Sequence, residues 1–107
     1  MDAVTAVSGS GPAYVFLLAE AMEAAAIAQG LPADAARTLV VQTLLGASRM
    51  LDESGEAPTE LRRRVTSPNG TTQAAIESFQ SDGFEAIVAR AIDAATRRGQ
   101  ALSAAND

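Results

Sequence analysis

The chain has no cysteine, no histidine and no tryptophan, and its 107 residues include one tyrosine and three phenylalanines. Each absence closes a class of chemistry. Without Cys there is no disulfide framework, no thiolate zinc site and no cysteine nucleophile, and cysteine usage gives no reading of compartment. Without His there is no imidazole base and no His-dependent triad. Basic charge is also scarce, with eight basic residues against thirteen acidic ones and a net charge of −5. A nucleic-acid binder needs clustered Lys and Arg to displace phosphate counterions, so that class is set aside. The N-terminus lacks the charged-then-apolar pattern of a signal peptide, and no run approaches the roughly 18 apolar residues of a membrane span. The expectation is a soluble, cytoplasmic protein with no membrane partner.

What the chain does have is helix-forming material. Hydrophobic residues make up 48% of it, and Ala alone more than a fifth. Thin side chains on good helix formers favour closely packed helices, and the length suits one domain. No convincing strand appears, and Gly and Pro divide the chain into about five helices. Ser8-Gly9-Ser10-Gly11-Pro12 opens the first, with Ser10 expected as N-cap and Pro12 near the first helical position, and Gly30 stops it after Gln29. Pro32 starts a second helix reaching about Ser54, where Gly55 ends it. A short third helix covers about Pro58 to Val65. The fourth begins after Gly70 and stops near Asp82-Gly83, with Ile76 and Phe79 expected on its inner face. Phe84, Ile87, Val88, Ala91, Ile92 and Ala95 follow the 3.6-residue period of a fifth. Arg97, Arg98 and Gly99 are expected to close it, with fraying through Leu102 and a loose tail from Ser103 to Asp107.

The first two helices are apolar on most of their circumference, more than one chain of this size can cover. The fold class expected is therefore an all-α bundle of about five helices forming an intertwined homodimer.

The most special residues converge in Val65-Thr66-Ser67-Pro68-Asn69-Gly70-Thr71-Thr72. Pro68 cannot continue a helix, and Asn69 and Gly70 are the residues most at ease at positive φ. Thr71 and Thr72 then sit beside the unpaired N–H groups of a new helix. That is a cradle suited to a small anion such as a carboxylate, and equally an ordinary capped turn between helices.

This stretch, followed by Ala75-Ile76 and Phe79, closely resembles the signature of delta-1-pyrroline-5-carboxylate reductases. Ala3-Val4-Thr5-Ala6-Val7-Ser8-Gly9-Ser10-Gly11-Pro12-Ala13-Tyr14 resembles the segment that opens the same family's C-terminal domain. The resemblance spans essentially the whole chain. Asn69 departs from it, since many members carry Gly there, but Asn tolerates the left-handed region.

The resemblance implies that residues 1–107 are a C-terminal helical dimerisation and substrate-binding domain, with the N-terminal Rossmann domain lying outside this chain. It implies reduction of 1-pyrroline-5-carboxylate to L-proline, with NADPH or NADH bound by the Rossmann domain and none by this chain. Gly9-Ser10-Gly11-Pro12 is a poor dinucleotide loop, because it lacks a preceding strand and a third glycine. The implied substrate-binding residues are Ser67, Asn69, Gly70, Thr71 and Thr72. Thr72 is implied as the catalytic residue, hydrogen-bonded to the ring nitrogen. The implied partners are a second copy of the chain, in a homodimer or higher oligomer, the Rossmann domain and the small-molecule substrate.

Other features carry a bland reading first. Tyr14 is favoured as an interface aromatic over a proton donor. Glu53 and Glu56 read as a solvated helix end, although they could flank the pocket. Arg62-Arg63-Arg64 reads as a solvated face that could also attract an acidic substrate. Glu20 and Glu23 read as the polar edge of a mostly buried helix. Two other functions stay open: a non-enzymatic helical dimerisation module, and the helical domain of a related imine or β-hydroxyacid reductase.

Overall fold

The structure, a computed structural model, describes residues 1–106, and no strand occurs among them. Six helices follow in order: α1 (Asp2–Val4), leading into a π-helical turn at Thr5–Gly9, then α2 (Gly11–Ala28), α3 (Ala33–Ser54), α4 (Pro58–Arg64), α5 (Thr71–Ser81) and α6 (Phe84–Asn106). The all-α expectation holds, and the turn residues end the helices for recognisable reasons. Gly30, at φ 105°, closes α2 in a Schellman motif: its N–H donates to the Ile27 carbonyl (2.9 Å), and the Leu31 N–H reaches the Ala26 carbonyl (3.2 Å). Gly55 ends α3 in the left-handed region, and Pro58 takes the first position of α4, where its missing N–H costs nothing. Gly83, at φ 78°, separates α5 from α6, and its carbonyl accepts from the Ile87 N–H at 2.9 Å.

Two expectations are corrected at the ends of the chain. The helix expected to open at Ser8–Pro12 is α2, which starts at Gly11, but Asp2–Gly9 before it is helical too. Ser10 has right-handed helical angles (φ −88°, ψ −19°) rather than the extended backbone of an N-cap, and its N–H donates to the Thr5 carbonyl (2.9 Å), closing the π turn. Gly99 does not end the last helix, which continues through Ser103 to Asn106; of the expected tail only Asp107 lies outside the described residues. Position 99 faces the N-terminal segment: a Cβ there would lie 3.2 Å from an Asp2 carboxylate oxygen and 3.6 Å from the Asp2 Cβ. By length and composition alone Asp2–Ala28 is also apolar enough to cross a membrane, with mean hydropathy 1.3, although, as expected, no uninterrupted apolar run in it approaches that length. Ala raises the average without forming a block of large apolar side chains.

The chain divides into two compact units, one made of Met1–Val15 with the chain from Ala74 onward, the other of Phe16–Gln73. In the first, α1 and the π turn pack on α6, Ala6 is buried, and Phe79 and Phe84 meet edge to face at 5.2 Å. In the second, the buried positions are Ala36 and Val40 on α3 and Leu61 on α4. Little else is covered. Phe79, expected on an inner face, is 47% exposed, as are comparable fractions of Phe84 and Ile87 on the periodic face of α6. α2 has no fully buried residue. The amphipathic pattern is real, but this chain alone does not cover it.

Candidate functional site

The turn between α4 and α5 is built almost entirely from its own backbone. α4 tightens as it ends, with the Val65 N–H donating to the Arg62 carbonyl (3.3 Å) and Thr66 N–H to Arg63 (3.2 Å), while the Thr66 hydroxyl caps the Arg62 carbonyl. Ser67-Pro68-Asn69-Gly70 then forms a β-turn, closed by Gly70 N–H donating to the Ser67 carbonyl at 3.1 Å. Pro at the second position and Asn69 at φ 61° in the third have the pattern of a type II turn. Asn69 is the described non-glycine residue at positive φ, as its side-chain chemistry suggested.

Gly70 is special for a different reason. Its φ is not positive; instead a Cβ there would lie 3.2 Å from the Ser67 carbonyl oxygen and 3.6 Å from the Ser67 Cβ. The turn is too tight for a side chain. Its N–H is also engaged with Ser67, so Gly70 shapes the cradle rather than donating into it.

Beyond the turn, α5 starts at Thr71. The first-turn N–H groups of Thr71 and Thr72 have no upstream carbonyl in the helix to bond, and the helix dipole adds positive potential there. Ser67, Asn69 and Thr71 are exposed, whereas Gly70 and Thr72 are half-buried. All five candidate residues thus fall in one segment: Ser67, Asn69 and Gly70 in the β-turn, Thr71 and Thr72 in the first turn of α5. One member was missed from sequence. Gln73 bends back so that its side-chain oxygen accepts the Asn69 N–H. A Gln three residues after a helix cap is the available signal, being half of a capping box.

The remaining candidates lie in other arrangements. The Tyr14 hydroxyl donates to the Ala6 carbonyl at 2.7 Å, which ties α2 to the π turn and engages the proton the alternative reading needed. Glu53 pairs with Arg49 at 3.3 Å on an exposed face, and Glu56 pairs with Arg64 at 3.3 Å. Arg63 and Arg64 both reach Glu60, with Arg63 Nε 2.9 Å and Arg64 Nε 3.1 Å from its carboxylate. The Arg63 hydrogen bond, with Arg64 adding to it, holds the Glu60 carboxyl below its ordinary range, and Arg63 is raised in turn. Glu60 on the same helix, with Glu56 just before it, thus offsets part of the Arg run's charge. Gly9 and Gly11 lie in the π turn and at the start of α2 with no strand before them, an arrangement that does not fit a dinucleotide phosphate.

Hollows also lie elsewhere among the described residues. One of about 430 Å³ is lined by Ala75, Ser78, Phe79, Asp82, Phe84 and Ile87. Another of about 320 Å³ runs along α3 and α4, including Met50, Leu51, Leu61 and Val65. Both are lined mainly by apolar side chains along helix faces.

Residues 1–102 match the sequence profile described as pyrroline-5-carboxylate reductase dimerisation. The chain belongs to this family. A pyrroline-5-carboxylate reductase from Pseudomonas aeruginosa is 58% identical over 103 residues, covering 96% of this chain and 38% of the relative. Pyrroline-5-carboxylate reductase 2 of Bacillus subtilis is 46% identical, covering 92% and 35% respectively. Among solved structures, the Plasmodium falciparum pyrroline carboxylate reductase with NADP bound superposes with TM-score 0.91 at 35% identity, covering 94% of this chain and 38% of that one. A pyrroline-5-carboxylate reductase from Coxiella burnetii gives the same TM-score at 42% identity, covering 94% of this chain and 37% of that one. The chain thus spans a little over a third of the length of the reductases it matches. The resemblance read from Val65–Thr72 and Ala3–Tyr14 is that of the family itself.

Proposed function

We propose that this chain is the dimerisation and substrate-binding part of a pyrroline-5-carboxylate reductase, which reduces 1-pyrroline-5-carboxylate to L-proline with NADPH or NADH. The observation that carries the reading is the Ser67–Gly70 turn opening onto the N-terminus of α5, in a chain belonging to a family of such reductases. A planar carboxylate suits two adjacent backbone N–H groups at a helix start, here those of Thr71 and Thr72, with the Ser67 hydroxyl as a third donor. The Thr72 side chain is assigned to the ring nitrogen, where a hydroxyl can follow the change from imine to amine because it both donates and accepts. Fixing both ends of a small rigid ring orients its reactive carbon, and positioning of this kind is the work asked of the chain. The hydride itself would come from a dinucleotide carried by a Rossmann domain outside these residues.

The homodimer belongs to the same proposal. The family is described by dimerisation, and α2, α3 and α6 leave large apolar side chains uncovered. A cytoplasmic location is proposed with it.

The test compares two proteins, the 107-residue chain and a full-length reductase carrying it. The full-length protein is expected to oxidise NADPH in the presence of pyrroline-5-carboxylate, and the chain alone is not. Turnover by the chain alone would overturn the division of labour, and none by the full-length protein would overturn the function. In the active protein, Thr72→Ala is expected to cost about 1–3 kcal/mol of transition-state stabilisation, read from kcat/KM. An unchanged kcat/KM removes Thr72 from the site.

A further inference from the structure

The way α5 is capped has a bearing on which ligands the turn accepts. A helix start of this kind is commonly closed by a reciprocal pair: the N-cap hydroxyl or carboxylate bonds a first-turn N–H, and Glu or Gln three residues on bonds back to the N-cap. Here the N-cap position is Gly70, which has no side chain to place over the first-turn N–H groups. Its own N–H is held by Ser67, and Gln73 reaches one residue further back, to the Asn69 N–H. The N–H groups of Asn69 and Gly70 are thus satisfied within the turn, while the donors of Thr71 and Thr72 are not covered by an N-cap side chain. The closing residue is also neutral. From Val65 through Ile76 there is no charged side chain, in a chain carrying thirteen carboxylate residues.

We propose that Gln73 is a specificity-determining positioning residue: its amide oxygen closes the turn as a glutamate would, without the negative charge that would compete with a carboxylate ligand. This rests on the assignment of the turn as the substrate carboxylate site. Glutamate makes the same hydrogen bond and, at a helix N-terminus, is favoured by the dipole. Stability alone would therefore favour glutamate, and the amide is the choice that leaves the potential of the helix start available to an anionic ligand. The ligand class selected is a small monocarboxylate.

The experiment uses a full-length reductase carrying this chain, with steady-state kinetics on pyrroline-5-carboxylate and circular dichroism to follow folding. Gln73→Glu keeps the acceptor and adds a charge several ångströms from the ligand. KM is expected to rise on the order of tenfold while kcat changes by less than about threefold, and added salt should narrow the difference in KM. Gln73→Met keeps the length and removes the acceptor. It is expected to lower the thermal midpoint and to raise KM less than the glutamate variant does, with no recovery in salt. A KM in Gln73→Glu that matches the unsubstituted protein, or equal KM changes in both variants, would overturn the role of charge. Gly70→Ala, which presses on the Ser67 carbonyl, distinguishes the two levels of failure. If Gly70→Ala raises KM and Gln73→Glu does not, the carboxylate site stands and the proposal for Gln73 falls. If neither changes KM, the site assignment itself falls.

Discussion

At the scale of single residues, Asn69 and Gly70 share one reason for being conspicuous in the sequence, their ease at positive φ, and only Asn69 uses it. Asn69 occupies the left-handed region and Gly70 does not, yet Gly70 is the less replaceable of the two. At position 69 the cost is conformational: a non-Gly, non-Asn residue at φ 61° is strained by about 1 kcal/mol, and more if β-branched. At position 70 the cost is steric, because the nearest atom to an added methyl is a backbone carbonyl oxygen, which cannot rotate away. Asn69→Gly is accordingly expected to leave stability within about 0.5 kcal/mol, and Asn69→Val to lose about 1–2 kcal/mol. Urea denaturation of the chain checks both. Equal stability of the Gly and Val variants would mean that the turn does not hold position 69 at positive φ. The sequence made this turn visible because Pro, Asn, Gly and paired Thr are locally unusual together. Other parts of it were not visible. A glycine needed for close approach looks like a glycine needed for positive φ until the neighbouring oxygen is located. Gln73 stands three residues after the cap, where a capping box would place it, but only the structure shows its side chain turned back to the Asn69 N–H.

At the scale of elements, helices were legible wherever their ends are punctuated locally, as at Gly30, Gly55, Pro58 and Gly83. They were misread where an end depends on a distant segment. Arg97-Arg98-Gly99 has the composition of a helix C-terminus, with basic side chains in a last turn followed by glycine. In the structure that glycine is a notch into which Asp2 fits, and α1 has no cap of its own to announce it. Two effects oppose each other at this site. Replacing a mid-helix glycine by alanine gains about 1 kcal/mol of helix propensity. Against this, the new methyl meets the Asp2 carboxylate oxygen at 3.2 Å, although that oxygen sits at the end of a side chain able to rotate, and the Asp2 Cβ lies at an ordinary 3.6 Å. Propensity should win. Gly99→Ala is expected to stabilise the chain by about 0.5 kcal/mol, and Gly99→Leu, whose extra atoms must displace Asp2 outright, to lose about 1–3 kcal/mol. Thermal melts followed by circular dichroism check the order. A Leu variant as stable as the Ala variant would mean that α1 does not depend on the notch.

At the scale of the whole molecule, the helices leave large apolar side chains bare: Phe16 and Leu17 on α2 are 67% and 66% exposed, and Leu39, Val41 and Leu45 on α3 are 55%, 41% and 52% exposed. The sequence pattern told that these helices require a cover but could not say what provides it. A membrane would serve α2 by composition, but the family to which the chain belongs, described by dimerisation, favours a second copy. The expected outcome is a dimer in sedimentation equilibrium at micromolar concentration, without detergent. Phe16→Glu is expected to shift it to monomer with loss of helix content, since a carboxylate buried without a partner costs several kcal/mol and symmetry doubles the penalty. Arg97→Glu, on the exposed face of α6 where Arg97 pairs with Asp93 at 2.9 Å, should change stability by less than about 1 kcal/mol and leave the dimer intact. A folded monomer for the unsubstituted chain, or a Phe16→Glu variant that remains dimeric with full helix content, would remove α2 from the interface and require some other cover for that helix.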